Sequence, residues 1–175
     1  MATFEAAIDT VLHHEGGWVN NPADPGGATN YGVSLRWLKT QGYAGDLDHD
    51  GDVDAMDVRV LTPEIATRFY RDEFWRRQYD QFFAQAIATK VFDTAVNCGH
   101  GPAHKILQRA LNSFGAQVQV DGWVGPKTVL AANMAETEAL LWAMRGEQGK
   151  FYSALIARNP KLAVFATGWA NRARS

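Results

Sequence analysis

The chain has 175 residues, of which 46% are hydrophobic, so it is long enough for one domain, or for one domain with a small lobe, and it can bury a core. Its formal net charge of −2 argues against the strongly basic surface typical of nucleic-acid-binding proteins. No apolar run approaches the ~20 residues that span a bilayer. We therefore expect neither nucleic acid nor membrane insertion.

Cysteine content and the N-terminal sequence also constrain the protein class. Cys98 is the single cysteine, which excludes an intrachain disulfide and a cysteine metal cluster. The first residues show no basic stretch followed by an apolar one. We expect a protein synthesised in the cytoplasm without a signal peptide.

The first third of the chain predicts two short helices separated by a glycine-rich loop. Thr3 can cap a first helix, which ends at Gly16-Gly17. Residues 18–33 are rich in Gly, Asn and Pro, and they predict a loop or a small hairpin. Ser34 can cap a short second helix, which ends at Gly42.

Residues 46–57 form the most distinctive segment, with six aspartates in twelve positions and no Lys or Arg. The aspartates occupy positions 1, 3, 5, 7, 9 and 12, and Gly51 occupies position 6, which is the spacing of an EF-hand calcium loop. Asp57 ends the segment where most EF-hands have Glu, and in this the segment resembles dockerin-type loops. A solvated acidic loop is the alternative, but without a cation these carboxylates would repel one another strongly.

We therefore predict a structural or regulatory calcium ion, outside the chemistry of the active site. The predicted ligands are the side chains of Asp46, Asp48, Asp50 and Asp57, and the backbone carbonyl of Asp52. Asp54 would contribute through a water molecule.

The remainder of the chain predicts further helices and almost no strands. Thr62-Pro63-Glu64 opens a helix with proline at its first position. Other helical stretches are predicted from Asp80 through Ile87, from Thr89 to Cys98, from Pro102, from Lys127, over 137–158 and around Trp169. Residues 120–126 predict a compact turn. The fold class is therefore mainly α, with about eight helices and little or no β structure.

Two acids near the first helix suit the cleavage of a glycosidic bond. Glu15 ends that helix, and Asp24 follows nine residues later in a polar loop. Glycosidic cleavage uses one carboxyl group to protonate the leaving oxygen and a second carboxylate near the anomeric carbon. A glutamate held rigidly at a helix end suits the first role, and an ionised aspartate suits the second. By spacing alone, two unrelated surface acids are the commoner explanation.

The residues around these acids closely resemble the signature of the glycoside hydrolase 108 family. Residues 15–33 carry the resemblance and read EGGWVNNPADPGGATNYGV. Members of this family are N-acetylmuramidases of phages and prophages, often used as endolysins. Further segments resemble other motifs of the family at 66–75, 92–99, 121–128 and 168–172. The resemblance covers nearly the whole chain except about residues 44–60, where the calcium loop is an insertion.

This resemblance implies a lysozyme-like fold and a peptidoglycan hydrolase. The expected reaction is hydrolysis of the β-1,4 bond between N-acetylmuramic acid and N-acetylglucosamine, with Glu15 as the general acid. The order of Glu15, Asp24 and Thr29 also resembles phage lysozymes of the inverting type, although Thr29 is one residue closer here. In that pattern Asp24 and Thr29 position the attacking water. Trp18 and Tyr31 flank these residues and are the candidate substrate contacts.

The resemblance also suggests how the chain is organised. We expect a catalytic lobe at 1–90, with the calcium loop at 46–57, and a helical lobe at 91–175 with a peptidoglycan-binding segment at 121–128. Together the two lobes would form one compact unit. We expect a monomer that is made in a bacterial host and reaches the cell wall through a holin or another export route. Three alternatives stay open: a lytic transglycosylase, a chitinase, and a non-catalytic, calcium-dependent wall-binding module.

His100 and His104 are four residues apart, the spacing at which two zinc ligands can share a helix face. Gly101-Pro102 lies between them, so we expect His100 to precede the helix. Helix-end histidines that face solvent are therefore favoured over metal ligands.

Overall fold

The computed structural model describes residues 1–20 and 27–175, and this part of the chain is mainly helical. Among the described residues, nine α-helices accompany one two-stranded antiparallel sheet. In chain order the elements are α1 (Glu5–Glu15), β1 (Thr29–Asn30), β2 (Val33–Ser34), α2 (Leu35–Thr40), α3 (Ala55–Val60), α4 (Pro63–Phe74), α5 (Gln85–Cys98), α6 (His100–Asn112), α7 (Pro126–Met134), α8 (Thr137–Arg158) and α9 (Ala166–Arg174). The chain divides into two compact units, which are residues 8–73 (the 8–73 unit) and residues 1–7 with 74–175 (the C-terminal unit).

The core of the 8–73 unit joins the β1–β2 hairpin to α2 and α3. Three buried side chains form its centre: Ala28, Leu38 and Val58. Leu47 and Val53, both from the acidic segment 46–57, pack against this centre. The buried amide of Asn30 donates to the carbonyls of Val58 at 3.2 Å and Leu61 at 3.4 Å. The hairpin is thus tied directly to α3, the helix in which the acidic segment ends.

The C-terminal unit contains a buried ion pair between α5 and α9. Arg172 Nη2 lies 2.8 Å from Asp93 Oδ1, and both side chains are largely buried. Lys90 Nζ donates to the carbonyls of Arg172 at 2.9 Å and Ala173 at 3.1 Å. A cation at a helix C-terminus is favourable because the exposed carbonyls carry partial negative charge. Burial lowers the pKa of the Lys90 ammonium to about 8, since water is replaced by protein around the charge.

The predicted helices differ from the structure in three places. Residues 55–60 form α3, because Asp54 and Asp57 cap it reciprocally. Asp80 accepts a hydrogen bond from Trp75 Nε1 at 2.8 Å in place of starting a long helix, and a short 3-10 helix covers Tyr79–Gln81. The two helices predicted from Asp80 to Ile87 and from Thr89 to Cys98 are replaced by a single helix, α5.

The third difference is the start of α6, which begins at His100 rather than at the predicted Pro102. Proline is tolerated there because the first amides of a helix have no intrahelical partner to lose. The expected division into lobes at 1–90 and 91–175 stays a prediction.

Candidate active site and acidic segment

The β1–β2 hairpin turns through two residues, Tyr31 and Gly32. Asn30 pairs with Val33 across the turn. Both turn residues have positive φ, 49° at Tyr31 and 73° at Gly32. A two-residue turn of this kind matches the right-handed twist of the strands, and it favours glycine because glycine has no Cβ to clash.

Glu15 and Tyr70 meet at the backbone of Gly32. A Cβ atom on Gly32 would lie 2.9 Å from Glu15 Oε2 and 3.0 Å from Glu15 Cβ, and it would collide with the hydroxyl oxygen of Tyr70. The Tyr70 hydroxyl donates to the carbonyl of Tyr31 at 2.8 Å, and its side chain is only 1% exposed. The carboxyl group, the phenol and the turn are therefore packed together, and the absence of a side chain at Gly32 permits this contact.

Glu15 is the last residue of α1, and Gly16 follows it with a φ of 72°. A glycine in this left-handed conformation is a common way to end a helix. Glu15 itself is half-buried. A carboxyl group with a fixed backbone and partial access to solvent suits proton donation to a bound substrate.

The chain after Glu15 runs beside β1. Val19 and Thr29 exchange two backbone hydrogen bonds, of 2.8 Å and 2.7 Å. The side chain of Trp18, next to Val19, is 39% exposed, so part of its indole is accessible to solvent. Thr29 and Tyr31, both half-buried, stand at β1 and in its turn. Asp24 lies outside the described residues.

Gly32 and Tyr70 were not among the residues singled out as site residues from the sequence. Gly32 lies in the loop segment, where glycine commonly marks a turn. Tyr70 lies on the buried side of α4 together with Ala66 and Phe69, which is the pattern of a core residue. Neither pattern predicts proximity to Glu15, which lies 17 residues before Gly32 and 55 residues before Tyr70. Only the packing of α1, α4 and the hairpin brings these residues together.

The acidic segment places its carboxylates in two groups of three: Asp46, Asp48 and Asp50, and Asp52, Asp54 and Asp57. Within each group, one carboxylate oxygen from each residue lies within 4.8 Å of the others. Oxygens that bind one Ca²⁺ at 2.3–2.6 Å can be at most about 5 Å apart. The donor set and its spacing therefore fit a hard divalent cation in either group.

Backbone amides already organise the acidic segment. Asp46, which is buried, accepts from the amides of Asp50 at 3.2 Å and Gly51 at 3.1 Å. Asp57 accepts from the amides of Leu47 at 2.6 Å and Asp54 at 2.7 Å.

The pKa values within the segment reflect these hydrogen bonds and the crowding of like charges. Burial acts to raise the pKa of Asp57, but hydrogen bonds from backbone amides, that of Asp54 foremost, hold it below its usual value. The pKa of Asp52 is raised, chiefly by the negative charge of Asp50. A bound cation would relieve that repulsion.

The interpretation of His100 and His104 as solvent-facing helix-end residues is wrong for His104, which lies inside α6, whereas His100 is the first residue of α6 and is half-buried. Each lies in α6, and His104 is 5% exposed. His104 Nε2 is 2.7 Å from the Tyr79 hydroxyl, and its Nδ1 is 2.8 Å from the carbonyl of Gly122. Because a carbonyl oxygen only accepts, His104 Nδ1 donates to Gly122 in the turn at 121–125. When the ring is neutral, its Nε2 accepts from the Tyr79 hydroxyl.

We expect the protein to lose stability as the pH falls below about 6.5, the value for an unfolded histidine. Burial lowers the pKa of His104 in the folded state, and the positive charges of His100 and Arg76 add to this. The hydrogen bond to the Gly122 carbonyl opposes the shift, and the charge of Asp121 does so to a smaller extent. The stabilisation is complete above the unfolded pKa and is lost as the pH falls through the lower, folded pKa. The measurement is urea unfolding at several pH values.

His104→Gln should be less stable at neutral pH and should show a flatter pH dependence. His100 contributes to the slope that remains, because burial also lowers its pKa. His13→Gln, at an exposed position, is the matched control and should keep the parental slope. A parental slope in His104→Gln would contradict the assignment.

Comparison with known proteins gives matches over both parts of the chain. Residues 8–99 match a family model described as "Glycosyl hydrolase 108", and residues 102–174 match one described as "Predicted Peptidoglycan domain". Among solved structures, that of Brucella abortus SagA is similar, with a TM-score of 0.72 and 28% sequence identity over 98% of this chain and 89% of the other. A search of curated protein sequences found no significant match.

These matches confirm the predicted mainly α, lysozyme-like fold. In the part of the chain that the structure describes, no helix is both long enough and apolar enough to cross a membrane.

Proposed function

The chain belongs to the glycosyl hydrolase 108 family, and from this premise we propose that it is an N-acetylmuramidase with Glu15 as its general acid. Family and domain matches make it a peptidoglycan hydrolase with lysozyme-like glycosidase activity. The bond that we assign is the β-1,4 bond from N-acetylmuramic acid to N-acetylglucosamine. The observation that carries the assignment of Glu15 is its packing against Gly32 and Tyr70, which fixes a half-buried carboxyl group at the end of α1.

In this mechanism Glu15 donates its proton to the glycosidic oxygen as the bond to the anomeric carbon breaks. The ring then carries developing positive charge. An ionised Asp24 would stabilise this charge or direct a water molecule towards the anomeric carbon. Thr29 on β1 would help to hold that water, and Trp18 and Tyr31 would contact the sugar. Tyr70 acts as a positioning residue, because its hydroxyl holds the Tyr31 carbonyl in the turn against which Glu15 packs.

The chain ends released from purified peptidoglycan sacculi test the proposal. A muramidase releases fragments with reducing N-acetylmuramic acid ends, which mass spectrometry identifies after borohydride reduction. Anhydromuramyl ends would instead indicate a lytic transglycosylase. Cleavage of chitin oligosaccharides but not of sacculi would indicate a chitinase, and binding without new ends would indicate a wall-binding module. Each of these three results would overturn the proposal.

We also propose that segment 46–57 binds calcium. Support comes from the EF-hand spacing of its aspartates and from the grouping of the Asp46, Asp48 and Asp50 carboxylate oxygens within the span of one coordination sphere. Asp57 groups instead with Asp52 and Asp54, so its role as a ligand rests on the EF-hand spacing. Asp46, Asp48, Asp50 and Asp57 would supply side-chain oxygens, Asp52 its carbonyl, and Asp54 a water-mediated contact. Origin in a phage or prophage, use as an endolysin, and the monomeric state stay predictions.

Calcium should raise the melting temperature, because an ion that binds only the folded state stabilises it by about 2.7 kcal/mol at a hundredfold excess over Kd. We also expect lytic activity to fall in chelator. The reason is that Leu47 and Val53 pack on the hairpin core and Asn30 bonds to the end of α3. The measurements are a melting curve and a lysis assay, each in chelator and in calcium.

The test variant is Asp46→Ala with Asp48→Ala, and the matched control is Asp9→Ala with Asp72→Ala, two exposed carboxylates outside the segment. Only the control should keep the calcium-dependent shift. Equal melting temperatures of the parent in chelator and calcium would reject the binding site. A shift in melting temperature with unchanged lysis would keep the site and reject its effect on activity.

A further inference from the structure

A groove of about 510 Å³ lies between α6 and α8 in the C-terminal unit. Lys105 and Arg109 are one turn apart on α6, so they share a face. Lys150 and Arg158 project from one face of α8, and Phe151 and Leu155 form an apolar part of the wall. We call this feature the α6–α8 groove.

The charge of the α6–α8 groove is strongly positive. Glu147 is the one carboxylate among its lining residues, and it already pairs with Lys150 at 2.7 Å. Lys105, Arg109 and Arg158 therefore have no carboxylate partner within the groove. Asp121, which lies near Lys105, is occupied by hydrogen bonds from Gln108 Nε2 and the Trp123 amide, both at 2.8 Å.

The surface beside the groove suits a carbohydrate. A Cβ atom on Gly122 would lie 3.3 Å from Cε of Lys105, so the turn at 121–125 adjoins the end of that side chain. Trp123 follows in this turn and is 63% exposed, although its backbone is fixed by Gln108 and Asp121. A rigid, exposed indole offers a flat apolar face to a sugar ring.

We propose that the α6–α8 groove binds the free carboxylates of the peptide stems of peptidoglycan. The inference rests on the proposed function, in which peptidoglycan is the substrate. Its cations lie within residues 102–174, which match the peptidoglycan domain. Stem peptides carry several carboxylates and short apolar side chains, which complement three cations without a carboxylate partner among the groove-lining residues and a wall of Phe151 and Leu155. Three cations beside an apolar wall, in a chain of net charge −2, are too few for a nucleic acid.

Binding to sacculi, measured with the inactive Glu15→Gln form, tests the groove. The groove variant adds Lys105→Ala, Arg109→Ala and Arg158→Ala. The matched control adds Arg77→Ala, Lys161→Ala and Arg174→Ala, which remove the same charge from exposed positions elsewhere in the C-terminal unit. An exposed ion pair changes a binding constant by roughly twofold to fivefold, so the groove variant should bind about tenfold more weakly than the control.

The chemistry of the wall supplies the second comparison. The Glu15→Gln form and the groove variant should bind equally well to two modified substrates. These are sacculi whose carboxylates have been amidated and glycan strands from which an amidase has removed the stems. If the groove variant still binds untreated sacculi more weakly than amidated ones, or if the two variants bind untreated sacculi equally, the inference is overturned. A tenfold difference in binding between the groove variant and the control that persists on stem-free glycan would also overturn the inference. The same holds if the two variants differ only in binding duplex DNA.

The parental enzyme separates this inference from the proposed function. Release of reducing N-acetylmuramic acid ends, together with groove-independent binding, would reject the groove alone. Groove-dependent binding without any release of reducing ends would reject the muramidase assignment alone. Circular dichroism and melting curves of each variant establish whether the substitutions leave the fold intact.

Discussion

Glu15→Gln should lower the rate of wall hydrolysis by about 10²–10⁴-fold, the usual contribution of a general acid. The amide keeps the size and most of the hydrogen-bonding capacity of the carboxyl group, but it has no proton to transfer. Its packing against Gly32 should therefore persist, and the melting temperature should stay near the parental value. The measurement is the rate of release of reducing ends from sacculi.

Glu138→Gln makes the same chemical change at an exposed position in the first turn of α8, and it should retain parental activity. Comparison of the two variants separates loss of the acid from loss of a surface charge. A folded Glu15→Gln protein that hydrolyses sacculi at the rate of the Glu138→Gln control would remove Glu15 from the mechanism. It would not by itself reject hydrolysis, because another carboxyl group could then supply the proton.

The sequence predicts helix ends well wherever a local signal specifies them. Ser34 caps α2, as its position before an apolar turn suggests, and Pro63 opens α4. Errors occur where a residue that suits a helix start makes another contact or lies further inside the helix. Asp80 has the composition of a helix start, yet it bonds to the indole of Trp75, and Pro102 sits inside the first turn of α6 rather than at its start.

In the candidate site, the sequence predicts what local residues determine but not what contacts between distant residues determine. Glu15 could be proposed from the sequence because the helix end and the family signature coincide there. Tyr70 could not, because its role depends on a hydrogen bond to a carbonyl 39 residues earlier. The acidic segment is intermediate. Its spacing predicts a calcium loop, but it does not reveal that Asp54 and Asp57 also cap α3.

Gly32→Ala should be the most damaging small substitution in the hairpin, because two costs combine at one position. An alanine at a φ of 73° is strained, which costs about 1–2 kcal/mol. Its Cβ would also meet Glu15 and Tyr70, and overpacking adds roughly 1–3 kcal/mol. We expect a loss in the free energy of unfolding of about 2–5 kcal/mol. We also expect an activity loss of about 100-fold, since a displacement of about 1 Å can cost that much.

Gly42→Ala is the matched control, because Gly42 has a φ of 58° and an added Cβ would meet nothing within 4 Å. It should lose about 1–2 kcal/mol from backbone strain and keep its activity. Addition of Tyr70→Phe to Gly32→Ala removes the oxygen that collides with the new methyl group, so the two changes should destabilise less together than their sum. Equal losses in Gly32→Ala and Gly42→Ala, with strict additivity in the double variant, would mean that strain in the turn, and not contact with Glu15 and Tyr70, determines why glycine is needed there.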